Sequence, residues 1–148
     1  MSLGAALLCL VVGVADGDTL ELRCGHHARE RVRLAGIDAP EWTQPHGRDA
    51  RNALAALVDH RQVTLQVVDR DRYGRRVAEV YLGPAHVNGA LVRDGWAWCN
   101  TRFRPGQWCA PQESAARSAR RGLWAERNPL APWEWRQRHP AASRKPGR

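Results

Sequence analysis

Residues 11–24 read VVGVADGDTLELRC, and this stretch decides the fold. Val11–Ala15 is an apolar run, Asp16-Gly17 is a turn signal, and Thr19–Cys24 alternates around Leu20 and Leu22. An Asp-Gly pair between two strand-like runs marks a β-hairpin, because the tight turn needs residues that accept positive φ. A hairpin here puts Cys9 and Cys24 near its open end, across from one another. The turn needs one Asp and one Gly, so the carboxylate of Asp18 is surplus to it.

Working outward, Glu30–Leu34 alternates, with Val32 and Leu34 on one face and Arg31 and Arg33 on the other. Residues 36–47 form a loop carrying Pro40 and Pro45. Ala50, Ala53, Leu54, Leu57 and Val58 recur at helical spacing and predict a helix over 48–59. Gln62–Val68 and Arg75–Leu82 read as strands around the polar turn at 69–74. Asn88 is expected to cap a short helix ending at Gly95. Pro111 suits the first position of a final helix that stops near Gly122. Five short strands with about three helices predict an α+β, mainly β, chain: a five-stranded Greek-key barrel of the OB type. The domain is expected over 11–136, with 1–10 a leader or the start of the first strand. Residues 137–148 are expected to be a basic, disordered end, most clearly from 141.

The length of 148 residues fits one domain. With 43% hydrophobic and 26% charged residues, disorder throughout is excluded. No apolar run approaches the ~20 residues of a membrane span. Leu3–Ala15 superficially reads like a signal-peptide core, but it lacks a basic leader, and cleavage after Ala15 would destroy the hairpin turn. It is therefore read as the first strand. The 23 basic and 15 acidic residues leave a charge of +8, and only Lys145 among the basic residues is a lysine. Such a surplus favours polyanions, nucleic acid first and anionic membranes second; an all-arginine habit also follows from genome composition.

The four cysteines, Cys9, Cys24, Cys99 and Cys109, allow three pairings and match no zinc spacing. The natural hypothesis is 9–24 and 99–109, which implies an oxidising compartment, secreted or periplasmic. The alternative is four unrelated buried thiols. His26-His27 reads as a surface loop.

Three clusters carry possible chemistry. The first is Asp16-Gly17-Asp18-Thr19. The second runs from Arg33 through Asp38-Ala39-Pro40-Glu41, with two acids three residues apart after a strand. The third is Asp71-Arg72-Tyr73-Gly74-Arg75. Each alone has a plain structural reading as a turn or a solvated loop. Asp18 and Asp38 both sit at strand–loop junctions, where a barrel can bring them together. Hard cations such as calcium take clustered carboxylate and carbonyl oxygens, which leaves Glu41 for the role of a base. Arg75 offers a phosphate fork, and Tyr73 a donor or a stacking ring.

Together and in this order, the strings VADGDTL at 14–20, RVRLAGIDAPE at 31–41, DRYGR at 71–75 and VNGALVRDGWA at 87–97 resemble the staphylococcal nuclease family. ARSARRGLW at 116–124 and PWEWR at 132–136 look like features of its bacterial members. The resemblance spans roughly 11–136 and implies calcium-dependent hydrolysis of phosphodiester bonds in DNA and RNA. It implies Asp18 and Asp38 as calcium carboxylates, with the backbone carbonyl of Ala39 as a further ligand. It also implies Glu41 as general base, and Arg33 and Arg75 on the phosphate. Tyr73 and Arg72 are expected to contact substrate, and Asp16 and Thr19 to support the metal site. Thr101 and Phe103 stand where the family archetype has base-pocket tyrosines. Trp124, Trp133 and Trp135 are expected to pin the C-terminal segment to the barrel, whereas Trp42 borders the site. A monomer is expected. The alternatives are a nuclease-like domain that binds nucleic acid or protein without cutting, and a basic protein that coats nucleic acid. The second of these would need no carboxylate cluster.

Overall fold

The hairpin expected from residues 11–24 forms, with Gly17 and Asp18 rather than Asp16 and Gly17 as its two turn residues, in a computed structural model that describes residues 6–100 and 106–140. Thr101, Phe103 and the expected basic end at 141–148 lie outside the described residues. Strands β1 (Leu7–Asp16), β2 (Thr19–Cys24) and β3 (Glu30–Leu34) are followed by the two-residue β4 (Ile37–Asp38) and helix α1 (Gly47–Val58). Next come β5 (Gln62–Arg70), β6 (Arg76–Leu82), β7 (Ala85–His86) and helix α2 (Val87–Arg93). Strand β8 (Trp98–Cys99), helix α3 (Cys109–Ser118), a 3-10 turn (Gly122–Ala125) and helix α4 (Pro132–Arg138) complete the described chain.

The sheet runs β3-β2-β1-β5-β6, with β7 beyond, and a β3–β6 pairing closes it into a barrel. The pairs β1–β2, β1–β5, β2–β3 and β5–β6 are antiparallel, whereas the closing pair is parallel, with Arg33 opposite Val77. This is the OB-fold barrel, and closure leaves its principal strands without an open edge. Alternation fills the interior with Val11, Leu20, Leu22, Val32, Leu34, Val63, Leu65, Ala78 and Val80. Helices α1 and α2 add Leu54, Val58, Leu91 and Val92. Each fully buried aliphatic side chain contributes about 1.5–3 kcal/mol relative to exposure.

Register irregularities in β1, between Val11 and Gly13 and between Val14 and Asp16, interrupt the alternation. A bulge of this kind re-aims the residues beyond it. Cys9 and Val11 face inward before it; Val14 and Asp16 are buried after it. Cys9 and Cys24 are direct register partners and are bonded to each other; Cys99 is bonded to Cys109.

Several sequence expectations shift. The first strand begins at Leu7, within the stretch 1–10 expected to hold a leader or the strand's start. The cap of α2 is His86, whose side chain accepts from the Gly89 N–H. Asn88 is instead buried, donating to the carbonyls of Ala35 and Ala78 and accepting from the Val80 N–H. A capping residue satisfies orphan helix donors, whereas Asn88 satisfies strand and turn groups that the barrel would otherwise bury unpaired. Helix α3 starts at Cys109, two residues before Pro111. A fourth α-helix, α4, forms where irregular chain was expected, with Pro132 at its first position and Arg138 at its end. Trp98 packs edge-on against Trp124 and Trp133, with ring centroids 5.2 and 6.2 Å away, and so pins this segment. Trp135 stacks on His139.

Candidate active site: carboxylates bridged by two guanidinium groups

Gly17 lets the β1–β2 turn lie flat against its neighbours. A β-carbon there would sit 2.8 Å from Cβ of Ala50 and 2.9 Å from Cβ of Ala39, too close for any L side chain. The turn therefore holds Asp18 beside the 38–39 peptide. Asp18 Oδ2 accepts from the Ala39 N–H at 2.8 Å, and Oδ1 accepts from the Thr19 hydroxyl at 3.0 Å. The Asp18 carbonyl accepts from the Leu34 N–H at 2.9 Å, locking the turn to the end of β3. Asp38 stands on β4, opposite Trp98 on β8. Asp18 and Asp38 are only 5% and 3% exposed.

Buried carboxylates need partners. Arg33 supplies them, with Nη1 3.3 Å from Asp18 Oδ2 and Nη2 3.4 Å from Asp38 Oδ1. One guanidinium thus spans both acids. Burial draws down the Arg33 pKa, but the charges of Asp18 and Asp38 more than offset this, so the group stays cationic.

Glu41 is brought to the same cluster by the loop that leads into α1. Gly47 makes this possible, since a β-carbon there would fall 1.9 Å from the Glu41 carbonyl oxygen. Gln44 accepts from the Glu41 N–H at 3.2 Å and donates to the Leu130 carbonyl at 2.5 Å. His46 pairs with Glu126 at 2.5 Å. These contacts tie the Glu41 loop to the segment before α4.

That segment delivers Arg136, which sequence reasoning missed as a site residue. Its Nη2 donates to Asp38 Oδ2 at 2.7 Å, and its Nη1 donates to Glu41 Oε1 at 2.8 Å and Asp38 Oδ1 at 3.3 Å. Burial opposes the Arg136 charge, but the hydrogen bonds to Asp38 and Glu41 prevail and raise its pKa well above the ordinary arginine value. The one available signal was the PWEWR string, which carries an arginine to which no role was assigned.

The DRYGR residues form a separate knot on the β5–β6 turn. Asp71 Oδ1 accepts from the N–H groups of Tyr73 and Arg75 at 2.9 Å, and Oδ2 from Arg75 Nε at 2.6 Å. Burial pushes the Asp71 pKa up, but the hydrogen bonds from Arg75 pull it below the usual carboxylate range. Tyr73 is 71% exposed, with the Arg72 guanidinium 5.0 Å from its ring centre. In the parallel β3–β6 register Arg33 stands opposite Val77, and Arg75 immediately precedes β6. The structure thus gathers Asp18, Thr19, Arg33, Asp38, Ala39 and Glu41 into one network with Arg136. Arg72, Tyr73 and Arg75 stand on the adjoining hairpin and are engaged among themselves and with Asp71. Asp16 is buried at the end of β1, just before the turn that holds Asp18. Trp42, beside Glu41, is exposed, and the Arg48 guanidinium lies 5.3 Å from its ring centre.

Among the described residues, no three His, Cys, Asp or Glu side chains group closely enough to hold a metal between them. The side chains at the centre are nevertheless of the chemical type that a hard cation takes. Asp18 and Asp38 both contact Arg33, and the 38–39 peptide reaches Asp18 through its N–H. Two carboxylates, a backbone carbonyl and water suit calcium, which keeps flexible all-oxygen coordination.

The fold and site define a class: an OB-fold barrel with buried acids bridged by arginines beside its first hairpin. Residues 31–126 match the family described as staphylococcal nuclease homologue, and the chain belongs to that family. It is 40% identical to an uncharacterized endonuclease of Escherichia coli O157:H7 over 129 residues, covering 86% of this chain and 84% of the relative. It is 41% identical over 107 residues to the probable staphylococcal-like nuclease CAN1 of Oryza sativa subsp. japonica, covering 72% of this chain and 32% of the relative. The chain thus spans about a third of the rice relative's length.

Proposed function

We propose that this protein is an endonuclease that hydrolyses phosphodiester bonds of DNA and RNA with the help of calcium. The observation that carries the reading is the bridge from Arg33 to both Asp18 and Asp38, with Glu41 in the same hydrogen-bonded network. In this reading Asp18, Asp38 and the Ala39 carbonyl hold the cation, with Asp16 and Thr19 supporting them. When bound, the cation supplies Lewis-acid polarisation of the phosphoryl oxygens. Glu41 takes the proton from the attacking water, a role typically worth ~10²–10⁴ in rate. Arg33 stabilises the charge that builds on the phosphoryl oxygens. Arg75 acts from the neighbouring hairpin: Asp71 engages its Nε, which orients the rest of the fork toward phosphate. Tyr73, Arg72 and the exposed ring of Trp42 offer substrate contacts and base-stacking surfaces.

The two disulfides suit an oxidising compartment, secreted or periplasmic, and the protein works as a monomer. No helix among the described residues is long and apolar enough to cross a membrane. The deciding experiment incubates the protein with plasmid, single-stranded DNA and RNA, in calcium and in excess chelator. Degradation in calcium and its loss in chelator are expected. Full activity in chelator removes the metal from the reading, and intact nucleic acid under both conditions removes the enzyme.

A further inference from the structure

Arg136 lies outside the motifs that point to phosphodiester chemistry, yet it donates three hydrogen bonds to Asp38 and Glu41. Asp38 Oδ1 is shared between Arg33 and Arg136, while Asp38 Oδ2 and Glu41 Oε1 are both engaged by Arg136. Asp38 would hold a cation through these same two oxygens, and Arg136 engages one of the two oxygens of the Glu41 carboxylate. A guanidinium and a hard cation compete for the same lone pairs, and their like charges repel at such range. The local charge count makes the same point. Asp18, Asp38 and Glu41 are faced by Arg33 and Arg136, so Arg136 neutralises charge that a divalent cation would otherwise neutralise.

Arg136 can also yield without unpacking the barrel. Its side chain is 34% exposed, which gives it a route to solvent. Helix α4 is held independently of it, through Trp133 on Trp98 and through the Gln44–Leu130 bond just before the helix.

We propose that Arg136 is a built-in counter-cation of the active site, which holds Asp38 and Glu41 in the metal-free protein and is displaced when calcium binds. Arg136 engagement and metal loading therefore oppose each other, and by linkage each weakens the other equally. The inference rests on the metal reading above, and it assigns to α4 a part in setting the calcium concentration at which the site is loaded.

Calcium titrated calorimetrically into the full protein, Arg136→Gln and Arg136→Lys tests it. Arg136→Gln is expected to bind calcium about tenfold more tightly than the parent, a typical coupling between linked sites, with Arg136→Lys in between. In the parent, the Arg136 guanidinium proton signals, assigned by their loss in Arg136→Gln, are expected to be slowed by the carboxylates without calcium and to lose that protection at saturation. Trp133→Ala removes the contact of α4 with Trp98 and replaces no group bonded to either carboxylate; it is expected to tighten calcium binding in the same direction, and it decides the matter if Arg136→Gln does not fold. Calcium affinity in Arg136→Gln equal to or weaker than the parent overturns the proposal, as do guanidinium signals that calcium leaves unchanged. If neither the parent nor Arg136→Gln takes up calcium, the metal reading itself fails and the counter-cation falls with it.

Discussion

Arg136 and Asp38, separated by 98 positions in the chain, meet as a two-pronged ion pair, Nη2 to Oδ2 at 2.7 Å and Nη1 to Oδ1 at 3.3 Å. A planar guanidinium facing a carboxylate in this way is stronger and more directional than a lysine contact. It fixes the last described helix against the edge of the candidate site. It also means that the acidic centre draws on both halves of the chain and not on the first half alone.

Glu41→Gln is expected to lower turnover on single-stranded DNA by roughly 10²–10⁴ while leaving substrate affinity largely intact. The amide retains the shape of the side chain but cannot take a proton. Steady-state kinetics and a direct binding measurement in calcium check this together. A variant as fast as the parent removes Glu41 from the role of base.

Gly47→Ala tests the packing that delivers Glu41. The added carbon would lie 1.9 Å from the Glu41 carbonyl oxygen, so the loop or the first turn of α1 must move. Overpacking of this kind costs about 1–3 kcal/mol. Urea unfolding is expected to show that loss, and turnover is expected to fall because Glu41 moves with its carbonyl. Unchanged stability and unchanged turnover would contradict the geometry.

Intact mass before and after reduction and alkylation is expected to show two disulfides, with peptide mapping giving 9–24 and 99–109. The Cys9–Cys24 bond closes a separation of 15 residues. Replacing both cysteines by serine is expected to cost about 3 kcal/mol, the loop-closure value for that length, read from urea melts. Four free thiols in the non-reduced protein would refute the pairing.

Asp71 carries a pH signature. Its folded pKa lies below the usual range, because bonds from Arg75 overcome burial. A depressed carboxyl pKa contributes stability that is fully present above the unfolded value, about 3.9, and is lost as pH falls through the folded value. Asp71→Ala is therefore expected to be less stable than the parent at pH 7, by about 1 kcal/mol for bonds on an exposed turn. The gap should narrow progressively below about pH 4. Thermal melts of both proteins across this range decide it; a gap that is constant with pH would show that the Asp71 charge does not hold the turn.

The hairpin, the alternating strands and helix α1 were legible because each is written in local periodicity. Asp18, Arg33, Asp38 and Glu41 became candidates differently, through the resemblance of the strings that hold them to a known family, since each cluster alone reads as a turn or a solvated loop. Asn88 was misread because a residue at a helix start looks like a cap, whereas its partners, Ala35, Ala78 and Val80, are supplied by other elements. Helix α4 was missed because seven residues flanked by prolines carry too little periodicity to stand out from a loop.

The sequence by itself determined the strands and the outline of an OB-type barrel, the placing of Cys9 and Cys24 near the open end of one hairpin, and the residues that end β3 and begin the Glu41 loop. These follow from period-two alternation, turn chemistry and short spacings, all of which act within a few residues. Only the tertiary structure decided that Arg33 spans both aspartates and that Arg136 closes on Asp38 and Glu41. The physical reason is that charge pairing depends on distance in space. Barrel closure and the packing of α4 on Trp98 set those distances, and neither is written in the spacing of residues along the chain.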